Sequence, residues 1–460
     1  MIQGMYILFC LINNRLEKKK MNDMKKGTVV MEGKTKIGFS VEGDPDRLII
    51  KSKDDITKND DPSQTTQMDS KAKYSTATTS RVFELLKKAG IPVAYERQLS
   101  ETEFLAINCK MIPLEVVVRR YAVGSYLKRY PNFEQERGAV PHRFHRLAFE
   151  LFLKTTSGNI LSSDGRVLGQ TPIDSASDRP IDDPFISNHG DGVWRLKNPK
   201  LPSWSKGSDL GWGVSQGDIL PEGVNMGDIE YLARKVFLVL EGAWAQLGCR
   251  LIDFKIEFGI DNRGQLLVAD VIDNDSWRLR TSDWKELSKQ LFRDNFNMNE
   301  IADKYALVAS LVGNFSVSNQ ALIVWRGSDV DESLEFLGIA GVTKVDIVRS
   351  GHKAPLACLS LLENVLAAYP EGGVILALVG MSNGLGPMLA ARTSWPVITV
   401  PLTVKERPHD VWSSLETPSN VPVLTILSKK NAGLAALSIL AQKNPIAYMH
   451  RQYAIEALDE

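Results

Sequence analysis

Between residues 252 and 278 apolar and charged positions alternate: Ile252, Phe254, Ile256 and Phe258 interleave with Asp253, Lys255 and Glu257. A period of two puts the apolar set on one face of a strand and the charged set on the other. Asp261-Asn262-Arg263-Gly264 reads as a turn closing a hairpin, which places Asp270 opposite or diagonal to Glu257 on the charged face. Further strands are predicted at Arg47 to Lys51, Leu114 to Val118 and Leu147 to Leu153, and the hairpin itself spans Leu251 to Phe258 and Gln265 to Ile272. Helical apolar spacing marks Tyr74 to Ala89 and Gly227 to Leu247, so the first part of the chain is α+β. Ser157 to Gly223 is rich in Gly, Pro, Ser and Asp with little periodicity, and reads as a surface excursion or functional loop.

After a helical run near Trp284 to Val312 the texture changes. Apolar strands at Ala321 to Trp325, Lys344 to Arg349, Gly373 to Val379, Pro396 to Pro401 and Val421 to Leu427 alternate with helices. Repeated strand–helix units imply an α/β, three-layer domain with a doubly wound parallel sheet. The expected organisation is an extension over 1–26, an α+β domain over 27–302, a linker over 303–318 and the α/β domain over 319–460.

Composition narrows the partners. With 55 basic and 55 acidic residues the chain carries no net charge, which argues against a nucleic-acid or anionic-membrane partner; phosphate recognition has to be local. The cysteines Cys10, Cys109, Cys249 and Cys358 lack the spacing of a zinc or redox site and fit reduced thiols in a cytoplasmic protein. The apolar stretch Met5 to Ile12 is too short for a membrane span, and Met21 and Met24 are alternative starts.

Three groups of residues carry chemistry in the first domain. Glu257 and Asp270 are carboxylates placed to share a divalent cation. Glu32-Gly33-Lys34-Thr35-Lys36 sets two lysines at alternate positions beside a glycine that lets backbone approach an anion. Arg119 and Arg120 end a β-branched strand and precede Gly124-Ser125, a combination of guanidinium forks, turn amides and hydroxyl suited to an anionic substrate. A surface turn and an edge-strand ion pair are the plain alternatives for the last two.

In the second domain three motifs follow three successive strands: Arg326-Gly327-Ser328-Asp329-Val330-Asp331, Ser350-Gly351-His352-Lys353 and Ser382-Asn383-Gly384-Leu385-Gly386-Pro387. Ligands of open α/β sheets bind at the carboxyl ends of the strands, so these motifs converge on one edge. His352 suits proton shuttling near neutral pH.

Ile112 to Ser125 and Leu251 to Gly259 closely resemble the signature stretches of the phosphoribosylaminoimidazole-succinocarboxamide synthase (SAICAR synthetase) family, a purine-biosynthesis ligase with an ATP-grasp-like fold; Val123 replaces the usual Thr or Ala. Glu32 to Lys36, Ser52-Lys53-Asp54, Glu150 to Lys154, Asp182-Asp183-Pro184 and Asp270 to Arg278 match as well. The resemblance implies ATP and Mg2+ as cofactors, with Lys34, Lys36 and Glu257 at ATP, and Glu257 and Asp270 at the metal. It further implies Lys255 and Asp270 near the reacting groups, and Arg119, Ser125, Asp275, Arg278 and Lys71 on the substrate. Lys58-Asn59-Asp60-Asp61-Pro62 departs from the family's Ala-Gly-Asn run, and glycine loss with added acid predicts weaker ribotide or nucleotide binding.

The second domain, with Asp410 to Leu415, resembles phosphoribosylaminoimidazole carboxylases that use carbon dioxide directly, without biotin. That implies His352 as the proton-transfer group, and Gly327, Ser328, Asp331, Lys353, Ser382, Asn383, Gly384 and Gly386 around the ribotide, carbon dioxide and base. The order of the two halves resembles the bifunctional purine enzyme of animals, whose substrates are aminoimidazole ribotide, carbon dioxide and L-aspartate, and implies a homo-oligomer, up to an octamer, built on the carboxylase domain. Two other readings stay open: a single ATP-dependent ligase with a nucleotide-sensing second domain, and a metabolite-binding scaffold without turnover.

Overall fold

The computed structural model describes residues 25–57, 65–136, 138–174, 177–188, 192–287, 298–327 and 334–459. The extension before residue 25, the departing run 58–62 and the candidates Ser328 and Asp331 lie outside the described residues.

Strands β1 (Lys26–Glu32), β2 (Lys36–Val41), β3 (Asp44–Ser52), β4 (Tyr95–Gln98) and β5 (Glu103–Ile107) form an antiparallel sheet in the order β1-β2-β3-β5-β4. A second antiparallel sheet runs β10-β9-β8-β7-β6-β11-β12, from β6 (Leu114–Tyr121), β7 (Arg143–Leu153), β8 (Phe185–Ile186), β9 (Val193–Lys197), β10 (Asp209–Ser215), β11 (Cys249–Ile260) and β12 (Leu266–Ala269). Strand β13 (Trp277–Thr281) also pairs with β11. The predicted hairpin is present: Gly264 N–H bonds to the Asp261 carbonyl at 3.1 Å, and Ile260 pairs with Leu266.

Helices α1 (Lys71–Lys88) and α2 (Met226–Gln246) cover these sheets. Asp54 caps the first turn of α1 by accepting the Ala72 N–H, and Asn225 does the same for α2 through Asp228 N–H. Their apolar faces bury Val82, Phe83, Leu86, Phe237 and Trp244 with Phe254 and Phe258 of β11 in one core. The apolar half of the alternating β11 pattern therefore makes core, as its spacing predicts.

Some expectations change. The stretch 157–223 is strand-bearing: β8, β9 and β10 extend the second sheet and bury Trp194, Leu196 and Val214, but strands of two to seven residues are too short to leave a readable period. The helical run from Trp284 does not start there, because Trp284 holds a left-handed backbone (φ 66°) with its ring edge-on to Tyr121. Helix α3 is Met298–Val312 and buries Ile301, Tyr305, Val308 and Val312 against the first domain. Within the expected 303–318 linker only 313–318 connect without regular structure.

The second half holds a parallel sheet in the order β15-β14-β16-β17-β18: β14 (Ala321–Arg326), β15 (Thr343–Val348), β16 (Gly373–Val379), β17 (Val397–Pro401) and β18 (Leu424–Thr425). Leu322 and Val324 of β14 face one apolar cluster with α6 (Lys429–Leu440), while Ala321, Ile323 and Trp325 face another with α4 (Pro355–Ala368) and α5 (Leu385–Ala390). Three layers follow from this alternation. The predicted strand Val421 to Leu427 shrinks to two residues on the sheet's edge, where Pro422 removes a donor. The last helix, α7 (Pro445–Glu456), packs against both α6 and α2. Among the described residues no helix is long and apolar enough to cross a membrane.

Candidate functional sites

Strand β11 carries its charges into the protein. Asp253 is buried, and the register sets it opposite Arg119 on β6 and Arg278 on β13. Both guanidinium groups donate to its Oδ2, Arg278 from 2.5 Å. Arg119 also donates to Glu150 at 2.6 Å and to Ser125 Oγ at 3.3 Å, and Arg129 donates to Glu150 at 2.7 Å. The guanidinium of Arg119 is thus buried inside a network of acceptors, with Ser125 as its outer neighbour. Gly124 beside it has φ 58°, and a Cβ there would lie 2.6 Å from Arg278 Nη2. Only glycine lets the turn close over the arginine.

Two to four residues farther along β11, and four along β6 and β7, lies a second group. Lys255 Nζ is 2.9 Å from Glu115 Oε2 and 3.3 Å from Glu257 Oε1. Lys154 Nζ sits 2.8 Å from both oxygens of Glu257. Glu257 pairs in register with Ala269, so Asp270 is the first residue past β12; its left-handed backbone (φ 63°) breaks the strand alternation, and its carboxylate pairs with Lys36 from β2. The two largest sheets of the first domain meet here, with three lysines among three carboxylates.

Electrostatics follow from that crowding. Burial opposes the Glu257 carboxylate, but Lys255, Lys154 and Lys36 outweigh it and hold its pKa down to about 2. Burial would strip the Lys255 ammonium of its proton, yet Glu115 and Glu257 raise it instead. Lys36 is lowered to about 8, chiefly by burial. Asp183, whose Oδ1 accepts the Thr155 N–H at 2.9 Å, is pushed up to about 6 by burial with help from Asp182 and Glu115.

A third group lies at the start of α1. Lys71 is fully buried with Nζ 3.0 Å from Asp275, which also accepts from Tyr305 of α3, and Ser75 donates to Asp273. Burial raises the Asp273 pKa.

The structure therefore joins Lys36, Lys255, Glu257 and Asp270, joins Arg119, Ser125 and Arg278, and joins Lys71 with Asp275, while Lys34 stands exposed on the β1–β2 turn. Glu115 and Lys154 were missed. Glu115 shares parity with Val117 and Arg119 on β6, and Lys154 with Glu150 and Phe152 along and just past β7, so the period-two rule marks both once their strands are accepted.

At the carboxyl edge of the parallel sheet the loops after β15 and β16 come together. The His352 ring lies against Gly384, where a Cβ would stand 2.3 Å from Nε2. Ser382 takes a left-handed backbone (φ 61°), and its N–H donates to Asp410 Oδ1 at 2.7 Å. Asn383 accepts the Gly386 N–H at 2.9 Å and is held by Ser413 and Ser414. Lys353 donates its N–H to Ser350 Oγ at 3.3 Å, and Gly327 follows β14 with open space where a Cβ would be. Asp410, Ser413 and Ser414 brace the loop that carries Ser382 to Gly386.

Comparison with known proteins places both regions. A family model for SAICAR synthetase matches residues 29–163 and 218–308, and one for AIR carboxylase matches 327–455. The Caenorhabditis elegans probable multifunctional protein ADE2 is 34% identical over 91% of each chain. The bifunctional phosphoribosylaminoimidazole carboxylase/phosphoribosylaminoimidazole succinocarboxamide synthetase of Homo sapiens is 30% identical over 92% of each. The phosphoribosylaminoimidazole-succinocarboxamide synthase of Chloroflexus aurantiacus is 34% identical over 64% of this chain and all of its own.

Proposed function

Because the chain belongs to the family of bifunctional phosphoribosylaminoimidazole carboxylase/phosphoribosylaminoimidazole succinocarboxamide synthetases, we propose that it works as both a carboxy-lyase and an ATP-dependent ligase. The second half joins carbon dioxide to aminoimidazole ribotide, and the first joins the resulting carboxylate to L-aspartate while ATP is converted to ADP and phosphate. The product of one half is the substrate of the other. The observation that carries the ligase reading is the meeting of Lys36, Lys154 and Lys255 with Glu257 and Asp270 where the two sheets join.

In the ligase half Lys34 and Lys36 neutralise nucleotide phosphate, and phosphoryl transfer to the ribotide carboxylate makes an acyl phosphate that the amine of aspartate attacks. Lys255 lies by the reacting groups. Arg119, fixed by Glu150 and Asp253, orients Ser125, and with Arg278 that end receives the ribotide; Lys71 and Asp275 bound its far side. Two hard carboxylate donors, Glu257 and Asp270, suit Mg2+, which takes one or two carboxylates and completes its shell with phosphates and water. Bound there, the ion would offset nucleotide charge.

In the carboxylase half His352 moves the ring proton as the ribotide's nucleophilic carbon meets carbon dioxide, with Gly327, Ser328, Asp331 and Lys353 on the ribotide and Ser382, Asn383, Gly384 and Gly386 lining the pocket. Exposed Leu356 (81%), Met381, Trp412 and Leu427 support self-association through this half. A coupled assay from aminoimidazole ribotide, omitting ATP or aspartate in turn, tests the whole reading. Carboxylation should persist and only ligation should stop; loss of both steps, or of neither, rejects it.

A further inference from the structure

Arg120 neighbours Arg119 on β6 but points to the opposite face, where it is fully buried. Its Nε and Nη2 donate to the two oxygens of Glu241 on α2 at 2.7 and 2.9 Å, and its Nη1 donates to the carbonyls of Phe144 and His145 at 3.1 and 2.6 Å. Those carbonyls lie where the β6–β7 register shifts, between the Arg143–Tyr121 and Ala148–Arg119 pairs. The remaining partner comes from the other half of the chain: Nη2 donates to Glu456 Oε1 at 2.6 Å. Glu456 Oε2 accepts the Leu147 N–H at 3.1 Å, and Tyr448 donates to Glu241 at 2.9 Å.

Helix α7 is thus built into the first domain. Ile446 and Met449 are buried in the same core as Trp244 and Phe254. The Gly242 backbone approaches so closely that a Cβ would stand 2.9 Å from Tyr448 Cδ1 and 3.2 Å from Pro445 Cα.

We propose that Glu456 is a positioning residue for the ligase site: the last helix of the carboxylase half fixes Arg120 and the β6–β7 irregularity, and so holds the strand end from which Arg119 orients Ser125. This rests on the reading of Arg119 and Ser125 as the ribotide end. Without Glu456 a buried guanidinium keeps only part of its counter-charge and the Leu147 N–H loses its acceptor. The relaxation falls on β6 and β7 beside Arg119.

The test uses the full chain and measures both reactions separately. Glu456→Ala should raise KM for carboxyaminoimidazole ribotide in ligation by about tenfold, since small misplacements of a binding group cost that much or more, and should leave carboxylation unchanged. Glu456→Gln keeps an acceptor and should restore most of the loss. Gly242→Ala presses on Tyr448 and Pro445 of α7 while keeping every ion-pair side chain, and should raise the same KM, which decides the matter if Glu456→Ala does not fold. An unchanged ligation KM in Glu456→Ala, an equal fall in both reactions, or a Gln variant as impaired as Ala overturns the proposal. Ser125→Ala separates the premise: if it leaves ligation intact the site reading fails, and if it raises KM while Glu456→Ala does not, only the coupling fails.

Discussion

Glu257 holds Lys154 Nζ at 2.8 Å with both of its carboxylate oxygens, and Lys255 reaches one of them from 3.3 Å. Two lysines thus balance a buried anion that stays ionised throughout the working pH range, with its pKa near 2. Such a carboxylate serves as a fixed charge and ligand, whereas a general acid needs a proton to give.

Replacing it by the isosteric amide removes the charge and leaves two ammonium groups facing each other across a neutral oxygen. Glu257→Gln should lower ligation kcat by on the order of a hundredfold or more while carboxylation, whose candidate residues stand on the other domain's sheet, keeps its wild-type rate. Separate assays of the two half-reactions check this, and a parallel fall in both would mean that Glu257 serves the fold as a whole.

Lys36 gives a pH limit. Its ammonium is lowered to about 8, mainly by burial, so below pH 8 the free enzyme presents a cation to nucleotide phosphate and above it a neutral amine. Ligation kcat/KM for ATP should decline on the alkaline side of about pH 8. Lys36→Arg cannot lose its proton in that range and should abolish this decline, even at reduced activity. A pH profile that Lys36→Arg leaves unchanged would assign the limb to another group.

The fold was legible wherever an element is long enough to carry either a one-sided period, as α1 and α2 do, or an unbroken apolar run, as β14, β16 and β17 do, buried along nearly their whole length. The β11–β12 hairpin, α1, α2 and the parallel strands β14 to β17 fall close to their predicted spans. The excursion 157–223 was opaque because its strands are too short for a period to emerge. In the site, Arg119, Arg278 and Lys36 were named although they come from other strands than β11, whereas Glu115 and Lys154, 140 and 103 positions from the groups they contact, were not. The bond from Arg120 to Glu456 spans 336 positions and joins two halves read as separate, so sequence spacing gives no hint of it.

Gly124 closes the turn over Arg278 with a left-handed backbone (φ 58°), and an added methyl would meet the guanidinium carbon at 2.8 Å. Gly124→Ala therefore combines backbone strain with a clash at a buried ion network. It should destabilise the chain by about 1–3 kcal/mol and weaken ligation through displacement of Arg278. Denaturant unfolding with ligation kinetics checks both effects, and a variant with unchanged stability would show that the turn relaxes freely.

His352 lies against Gly384 at the carboxyl edge of the parallel sheet, exposed to the loops that frame it. His352→Asn keeps a polar group of similar reach but cannot carry a proton near neutral pH. Carboxylation should fall by on the order of a hundredfold or more, the range for removal of a positioned acid–base group, and ligation of supplied carboxyaminoimidazole ribotide should continue. Retained carboxylation would remove His352 from the proton path.

The same α7 that carries Glu456 also carries His450, whose imidazole is lowered to about 4 by burial, with Lys235 adding repulsion. Above pH 6.5 it is neutral in both folded and unfolded chains and adds no pH dependence. As pH falls from 6.5 toward 4 the unfolded chain binds a proton that the folded chain refuses, so folding stability drops across that window and levels off below it. Denaturant midpoints at pH 7.5, 6 and 5 should therefore decline in the native sequence. His450→Gln, which does not titrate, should flatten this part of the decline, and because α7 packs against both halves the effect should appear in the unfolding of the ligase domain as well; an unaltered acid limb would place the proton uptake elsewhere.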